Sequence, residues 1–401
     1  MRIKSKRSQI TIIMIVGLVI FIIVGLLLYL SKTSVKKSVQ SSVRKTQSIP
    51  NEIQPIKEFV SNCVDKLAKD AAVLIGKQGG YIYSNQGGTY IGFSDTDEGI
   101  FFVNYENYKT AYNIKQPSLY APQPYSTYIP SYPWVTFPYK TFGSTEKTFY
   151  GIYGINNMPP LNSSRGPHSI QTQIESFVDN NLDECMDFTL FEQQGHIIEA
   201  GRSRTKALIG SKDISVKSEI PIKITNTKTK ENFELKDFST VVEVRMKDIH
   251  NFISNLVEND ITDIKFNIKT PQINLNYFDI EVVENAYQND DIITITDTQF
   301  AIDGGNYEYT FARKNRAPAL YFINESIILL PPNYIIYQDD LLRGSELNAE
   351  DPDEDNILLS IQAQLPDPDL PTILDRPQIK FRIEANDGRL SDYQIITVNR
   401  I

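Results

Sequence analysis

An uninterrupted apolar run near the N-terminus constrains this chain more than any other feature. Residues 10–30 read ITIIMIVGLVIFIIVGLLLYL and carry no charge. As a helix with a rise of about 1.5 Å per residue, the run spans roughly 30 Å, which matches the hydrocarbon thickness of a bilayer. A secretory signal peptide has a shorter apolar region and a small-residue cleavage site, whereas Leu30 is followed by SKTSVKKSVQ. The run therefore predicts an uncleaved transmembrane helix.

Positive charges lie on both sides of this run, so the positive-inside rule alone does not orient it. A basic tail at 1–9 precedes the run, and a Ser- and Lys-rich stalk at 31–50 follows it. Long domains cross membranes largely regardless of their charge, which favours a cytoplasmic tail and an external body. We expect a single-pass protein of the cell membrane with the bulk of the chain extracellular.

A second interpretation of the N-terminus is a pilin-type leader. The segment KRSQITIIMIVG resembles the basic leader and apolar helix of archaeal class III signals, which are cut between the two parts. That resemblance implies a filament subunit whose mature chain starts near Ile10. The sequence lacks the small residue that usually precedes the cut.

The composition narrows the class of protein. The chain has 40 Lys and Arg against 49 Asp and Glu, and this acidic balance argues against a nucleic-acid partner. Its 41% hydrophobic residues are enough to fold a core. No P-loop, GxSxG, HExxH or GxGxxG motif occurs, so we expect no enzyme. An envelope enzyme built on two distant carboxylates stays as an alternative, because such pairs leave no local signature.

Two amphipathic helices are predicted, each followed by a strand-like segment. The first runs from Pro55 towards Gly79, and its apolar residues fall on one helical face. The two copies match without a gap at Ile56, Phe59, Val60 and Asn62 and at Ile174, Phe177, Val178 and Asn180. Further on, Gln78-Gly79 matches Gln194-Gly195 after a two-residue gap. We interpret them as a repeated helix–strand unit, with a chance similarity of two amphipathic helices as the alternative.

Each helix carries one of the two cysteines of the chain, Cys63 and Cys185, on or beside its apolar face. Outside the cell, two cysteines on packed helices can form a disulfide that closes a loop of about 120 residues. Two buried free thiols that behave as small hydrophobic side chains are the alternative.

The segment between the two helices is rich in Tyr, Gly and Pro. Five prolines between positions 122 and 138 exclude a helix or a central strand there and predict an extended loop. Aromatic side chains alternate with them, at Tyr125, Tyr128, Tyr132, Trp134 and Tyr139. They form either a stacking platform for a sugar or a partner protein, or the cover of the domain's own core.

Short alternating strands fill residues 197–314 and are interrupted by one helical segment, KDIHNFISNLVEN. This pattern predicts an α+β domain. We therefore expect an α+β and all-β multidomain protein. Its predicted parts beyond the stalk are a first helix–strand unit at 51–170, a second unit with the α+β domain at 171–314, and a module at 315–401.

Three segments carry a family resemblance: Gln9 to Ile12, Gly76 to Ile82, and Phe177 to Cys185. Over about residues 1–270 the chain resembles a group of single-span membrane proteins of small-genome, DPANN-type archaea. That group has no established activity. The resemblance implies membrane anchoring and supplies no catalytic residue.

The last segment, 315–401, resembles a cadherin-like or related Ig-like β-sandwich. The matching places are Asn315 to Pro318, Ala349 to Asp353, and Asn386 to Gly388, the last a D-G turn before the final strand. The resemblance implies calcium, with oxygen ligands from Asp351, Asp353, Asp355, Asn356 and Asp387. The linker KNRAP lacks the acidic residues of the cadherin pattern, so a solvated acidic loop is the alternative.

These features together predict a membrane-anchored cell-surface protein. We expect it to act in adhesion or envelope structure, through contacts of its ectodomain with surface proteins or glycans. The alternatives are the pilin-like subunit and an envelope enzyme or secretion factor.

Overall fold

The computed structural model describes residues 51–91, 102–117, 137–140, 147–271, 277–321, 328–330, 348–364 and 378–400. The chain divides into two units, 1–57 and 58–401, and the contacts reported below lie within the second. The fold is mixed α/β, with many strands and few helices. The predicted tail, membrane helix and stalk at 1–50 lie outside the described residues, as do Tyr125, Tyr128, Tyr132 and Trp134. Among the helices that are described, none has the length and apolarity to cross a membrane.

The long helices form where the apolar spacing predicts them. The described helices are α1 (Gln54–Lys77), α2 (Ile170–Cys185), the short α3 (Thr189–Gln193) and α4 (Met246–Thr262). Val60, Val64 and Ile75 of α1 are fully buried, as expected for its apolar face. Gly79 and Gly80 follow with φ angles of 67° and 90°, a left-handed conformation that ends the helix without a Cβ clash.

The strands occupy most of the remaining described chain. They are β1 (Phe102–Tyr105), β2 (Tyr108–Lys115), β3 (Tyr139–Lys140), β4 (Lys147–Thr148), β5 (Ile155–Asn156), β6 (His196–Ala200), β7 (Arg204–Ile209), β8 (Ile214–Asn226), β9 (Asn232–Val242), β10 (Phe278–Tyr287), β11 (Asp290–Ile302), β12 (Gly305–Arg313), β13 (Ala319–Leu320), β14 (Ile328–Leu330), β15 (Ala349–Glu350), β16 (Leu358–Gln364), β17 (Gln378–Asn386) and β18 (Ser391–Arg400).

A six-stranded sheet joins parts of the chain that the sequence assigned to separate units. Its order is β1-β2-β12-β11-β10, and β5 also pairs with β2. The β2–β12 pair is parallel, and the other pairs are antiparallel. Because β2 comes from 51–170 and β12 from 171–314, the predicted boundary at 170/171 does not separate two sheets.

A second, four-stranded antiparallel sheet has β8 at its centre. β9 pairs along one side of β8, while β6 and β7 pair end to end along the other side. Pro221 lies inside β8, where a central strand normally excludes proline. The register with β9 shifts between Glu219 and Ile222, and this irregularity accommodates the missing N–H.

Helix α2 covers the outer edge of β7. Glu175 accepts a hydrogen bond from the Ala207 N–H at 3.0 Å, and Asp179 accepts one from the Thr205 N–H at 3.1 Å. Gln171 donates to the Ala207 carbonyl at 3.0 Å. Polar side chains of a helix thus satisfy backbone groups that would otherwise be open for pairing with another chain.

The C-terminal segment contains a four-stranded sheet of order β14-β18-β17-β16 and a two-stranded sheet of β13 and β15. β17 and β18 form a hairpin, and Gly388 in its turn has a φ of 98°. The D-G hairpin expected before the last strand is therefore present.

The predicted helix–strand repeat is only partly present. The second copy continues from α2 through α3 into β6, as expected. In the first copy no strand follows α1, because Tyr81 and Ile82 lie outside any strand and Tyr83 makes one isolated bridge to Tyr90. The expectation of a strand at this point is wrong, since the glycine reversal brings the chain against α2 instead.

Candidate functional site

A disulfide joins the C-terminal end of α2 to α1. Cys63 and Cys185 are bonded, with their Cα atoms 5.8 Å apart and 122 positions apart in the chain. Of the two alternatives that the sequence allows, the structure has the bridge and not two free thiols. Persistent structural disulfides are typical of proteins that fold in an oxidising compartment.

The Gly76 to Ile82 and Phe177 to Cys185 segments, which carry the archaeal resemblance, belong to the same packed region. Gln173 of α2 accepts the N–H of Ile82 at 2.6 Å and donates to the carbonyl of Gly80 at 2.9 Å. A Cβ on Gly80 would lie 2.4 Å from the hydroxyl of Tyr309, so only glycine fits there. The Q-G-G-Y-I motif therefore acts in packing.

The most unusual polar arrangement lies at the linker between β12 and the C-terminal module. Two arginines of this region, Arg313 and Arg316, are 1% and 0% exposed and are the largest fully buried side chains among the described residues. Charged side chains are buried this completely only when they are paired and hydrogen-bonded. Their partners come from α4, β11 and the loop after β15.

Arg316 binds the loop after β15. Its Nε and Nη2 atoms lie 3.0 and 2.7 Å from Oδ1 of Asp353, and its own N–H donates to Oδ2 of Asp353 at 2.6 Å. Nη2 also lies 2.9 Å from Oδ2 of Asp260 in α4. Nη2 donates in addition to the carbonyl of Pro352 at 2.8 Å, and Nη1 donates to the carbonyl of Tyr153 at 3.3 Å. One guanidinium thus connects the C-terminal module to the body that precedes it.

Arg313 makes a parallel set of contacts from the end of β12. Its Nη1 lies 2.9 Å from Oδ1 of Asp260, and its Nη2 lies 2.6 Å from Oδ2 of Asp291. Nη2 also donates to the Asp353 carbonyl at 3.1 Å. Burial alone would lower the pKa of Arg313, but the charges of Asp260, Asp353 and Asp291 outweigh it and raise the pKa. The guanidinium therefore stays protonated at all physiological pH values.

A third cation of the linker pairs nearby. Lys314 Nζ lies 2.9 Å from Oδ2 of Asp290, and Oδ1 of Asp290 accepts the N–H of Asn315 at 2.9 Å. The hydroxyl of Tyr112 also donates to Oδ2 of Asp290, at 2.5 Å. Every residue from 313 to 316 is consequently fixed to the preceding domain or to the C-terminal module. We call Arg313, Arg316, Asp260, Asp291 and Asp353 the junction cluster.

The five residues of the predicted calcium set have different roles. Asp353 belongs to the junction cluster, and Asn356 is exposed. Asp387 accepts the N–H groups of Arg389 at 2.7 Å and Leu390 at 2.6 Å, as expected of a turn aspartate. In the parts of the chain that are described, no three His, Cys, Asp or Glu side chains are arranged to hold a metal ion. Calcium binding stays a prediction from the resemblance, and this arrangement does not favour it.

The other two members of the set, Asp351 and Asp355, lie beside the junction cluster. Oδ1 of Asp351 accepts the N–H groups of Asp353 at 2.8 Å and Asp355 at 3.2 Å. Oδ2 of Asp351 and Oδ2 of Asp355 are buried without a hydrogen-bond partner. Burial and then the charge of Asp353 raise the pKa of Asp351 to about 8 and that of Asp355 to about 7. The junction therefore holds more carboxyl groups than its arginines neutralise.

We expect Asp351→Asn to stabilise the protein at high pH. An unfolded aspartate has a pKa of about 3.9. Between about pH 4 and pH 8, Asp351 is therefore protonated in the native chain and ionised in the unfolded chain. Its favourable contribution is full below about pH 4 and is lost as the pH rises through about 8. Asparagine keeps the Oδ1 acceptor and removes the charge. At pH 9 the variant should exceed the native chain in free energy of unfolding by about 2 to 4 kcal/mol, and at pH 5 the difference should be about a quarter of that.

Urea unfolding of both chains from pH 5 to pH 9 tests this expectation. Comparing the variant with the native chain cancels the contributions of other acids, such as Asp392, whose pKa burial raises to about 7. Asp303→Asn, at an exposed turn, is the matched control and should leave the profile unchanged. Parallel profiles for native chain and Asp351→Asn would contradict the expectation.

Sequence reasoning missed the junction cluster. The available signal was the linker KNRAP, whose basic residues stand where the cadherin pattern has acids. No local pattern indicated that these cations would be buried, because Asp260 and Asp291 come from distant positions. Of the predicted aromatic platform, Tyr139 begins β3, opposite Thr148 of β4, and its role stays a prediction.

Comparison with known proteins adds no family to these observations. No protein-family model matches the chain, and a search of curated proteins finds no significant relative.

Proposed function

We propose that the chain is a membrane-anchored cell-surface protein that acts in adhesion or envelope structure, through contacts of its ectodomain with proteins or glycans. The observation that carries this proposal is the Cys63–Cys185 disulfide. Such bonds persist in oxidising compartments and are rare in the cytosol, where thiols are kept reduced. The uncharged run at 10–30 supplies the expected anchor.

The junction cluster supports a structural role for the ectodomain. Domains that are joined by a polar linker normally move relative to each other. Here Arg313 and Arg316 fix the linker through buried ion pairs, so the C-terminal module keeps one orientation relative to the body. A module held at a fixed orientation is suited to contact with a neighbouring molecule.

We further propose that residues 315–401 form the Ig-like module that makes this contact. The D-G hairpin of β17 and β18 and the separate pair of β13 and β15 are compatible with two packed sheets. In this proposal the arginines of the linker take the place that calcium has at cadherin junctions.

Protease shaving of intact cells, followed by mass spectrometry without reduction, tests the proposal. We expect released peptides from 315–401 and a disulfide-linked pair of peptides that contain Cys63 and Cys185. A peptide that starts at Ile10 would support the pilin-like alternative instead. Protection of everything after residue 30 until the membrane is broken, with both thiols reduced, would overturn the proposal and leave an intracellular scaffold.

A further inference from the structure

A short turn between β5 and α2 carries a triplet that belongs to none of the predicted sites. Residues 162–164 read Asn-Ser-Ser, which fits the pattern Asn-x-Ser/Thr with a residue other than proline in the middle. In proteins that reach an external compartment, this pattern is the acceptor for N-linked glycans. The chain has one other such triplet, at 324–326, which lies outside the described residues. Because so short a pattern also arises by chance, its structural setting has to support the assignment.

The turn is anchored at the start of α2 and stands clear of the surface beyond it. Leu161 is buried, and its carbonyl accepts the N–H of Gln171 at 3.1 Å. After this anchor, residues 162–165 are all exposed. A Cβ built on Gly166 would meet no described atom within 4 Å, so the space beside the turn is open. A bulky group attached to this turn therefore has room.

The side chain of Asn162 has no capping role that would explain an asparagine here. It precedes the single helical turn Ser163–Arg165, a position where asparagine ordinarily accepts a backbone N–H with its side chain. In this turn the side chain makes no such hydrogen bond. The N–H of Arg165 donates instead to the backbone carbonyl of Asn162, at 3.2 Å. Among the described residues the Asn162 amide has no hydrogen-bond partner, so its nitrogen is exposed and accessible.

We infer that Asn162 is the attachment site of an N-linked glycan, transferred from an oligosaccharide that is joined through phosphate to a polyisoprenoid lipid. In this step Nδ2 of Asn162 forms a bond to the anomeric carbon of the first sugar, and the bond from that carbon to the phosphate oxygen breaks. The lipid phosphate leaves with the electron pair, and the amide proton passes to a base of the transferring enzyme. That enzyme requires the hydroxyl two positions after the asparagine, which assigns this role to Ser164. The inference rests on the proposed location outside the cell, because these glycans are added on the external side of a membrane.

Mass spectrometry of the full chain isolated from its own cells tests the inference. Trypsin cleaves after Lys147 and Arg165 and releases the peptide 148–165, in which Asn162 is the asparagine of the triplet. We expect this peptide to carry sugar residues, and we expect its fragments to retain the innermost sugar on Asn162. Recovery of the peptide without any sugar would overturn the inference.

Two adjacent serines provide a matched pair of variants. Ser164→Ala removes the hydroxyl that the transfer requires, whereas Ser163→Ala changes the middle position, where any residue except proline is accepted. Both serines are exposed, so neither change should alter the thermal unfolding temperature. The glycosylated fraction of 148–165 should fall at least about tenfold in Ser164→Ala and stay within about twofold of native in Ser163→Ala. Ser164→Thr keeps the hydroxyl and should keep the glycan.

Equal glycosylation of the two alanine variants, an equal loss in both, or a sugar on a serine in place of Asn162 would also overturn the inference. Protease shaving of the same cells distinguishes this failure from a failure of the proposed function. A sugar-free 148–165 that is released from intact cells would refute the glycan and leave the external location in place. A sugar-free 148–165 that stays protected until the membrane is broken would refute both.

Discussion

Replacing Arg316 with methionine is expected to cost about 3 to 5 kcal/mol of folding free energy, the largest effect of any single substitution considered. The change keeps much of the side-chain volume and removes the charge. Asp353 and Asp260 would then share one remaining guanidinium, and the carbonyls of Pro352 and Tyr153 would lose donors. Removing one member of a buried ion network is costly because it leaves an uncompensated charge in a low dielectric.

Urea unfolding measures the loss, and limited proteolysis locates it. We expect the variant to be cleaved within 314–318, where the native linker is fixed on both sides. Arg389→Met is the matched control, because Arg389 is exposed and, among the residues that the structure describes, its guanidinium donates to Gln288 alone, at 2.9 Å. Its cost should stay within about 0.5 kcal/mol. Equal costs for the two arginines would show that the junction cluster does not hold the module.

A second change, Asp353→Leu in the Arg316→Met background, measures the interaction between Arg316 and Asp353 apart from the other contacts of each side chain. Replacing both charges by apolar groups should cost less than the sum of the two single changes, since neither charge is then left alone. A coupling of about 0.5 to 3 kcal/mol is expected for such contacting residues. Strict additivity would mean that the two side chains do not interact.

Replacing Cys63 and Cys185 with serine should lower stability by about 4 to 5 kcal/mol. In the chain-entropy description, a cross-link over 122 positions restricts the unfolded ensemble strongly. Thermal unfolding of the native chain, the reduced native chain and the double variant measures the effect. The reduced chain and the double variant should unfold at similar temperatures, both well below the oxidised native chain.

The reductant itself provides the control, because it should not alter unfolding of the double variant. A native chain that unfolds at the same temperature with and without reductant would contradict the expectation. Such a result would also remove the observation that carries the proposed function.

Local patterns predicted much of the secondary structure. The 3.6-residue spacing of apolar side chains placed α1 and α4, and the D-G signal placed the hairpin of β17 and β18. The apolar spacing and the D-G signal both depend on residues that are close in the sequence. The prediction of a strand after α1 was wrong because Gly79 and Gly80 reverse the chain towards α2, and that contact depends on Gln173, about ninety positions away.

The candidate site was less accessible to the same reasoning. The acids around Asp351 were noticed, but as calcium ligands from a resemblance. Arg316 was noticed only as part of a linker that departs from that pattern, and Arg313, at the end of β12, was not singled out. Their partner Asp260 lies on α4 and carries no distinguishing signal, since an aspartate on an amphipathic helix is ordinarily solvated.

The sequence by itself determined the apolar segment at 10–30, the amphipathic helices, the alternating strands and the acidic balance, because each is a property of neighbouring residues. Only the tertiary structure decided that Cys63 meets Cys185, that the regions at 51–170 and 171–314 share one sheet, and that two arginines of the linker are buried among three aspartates. These features join residues tens to hundreds of positions apart. Ion pairs and strand pairings over such separations leave no periodic trace in the sequence, since their free energy depends on burial that only the assembled fold provides.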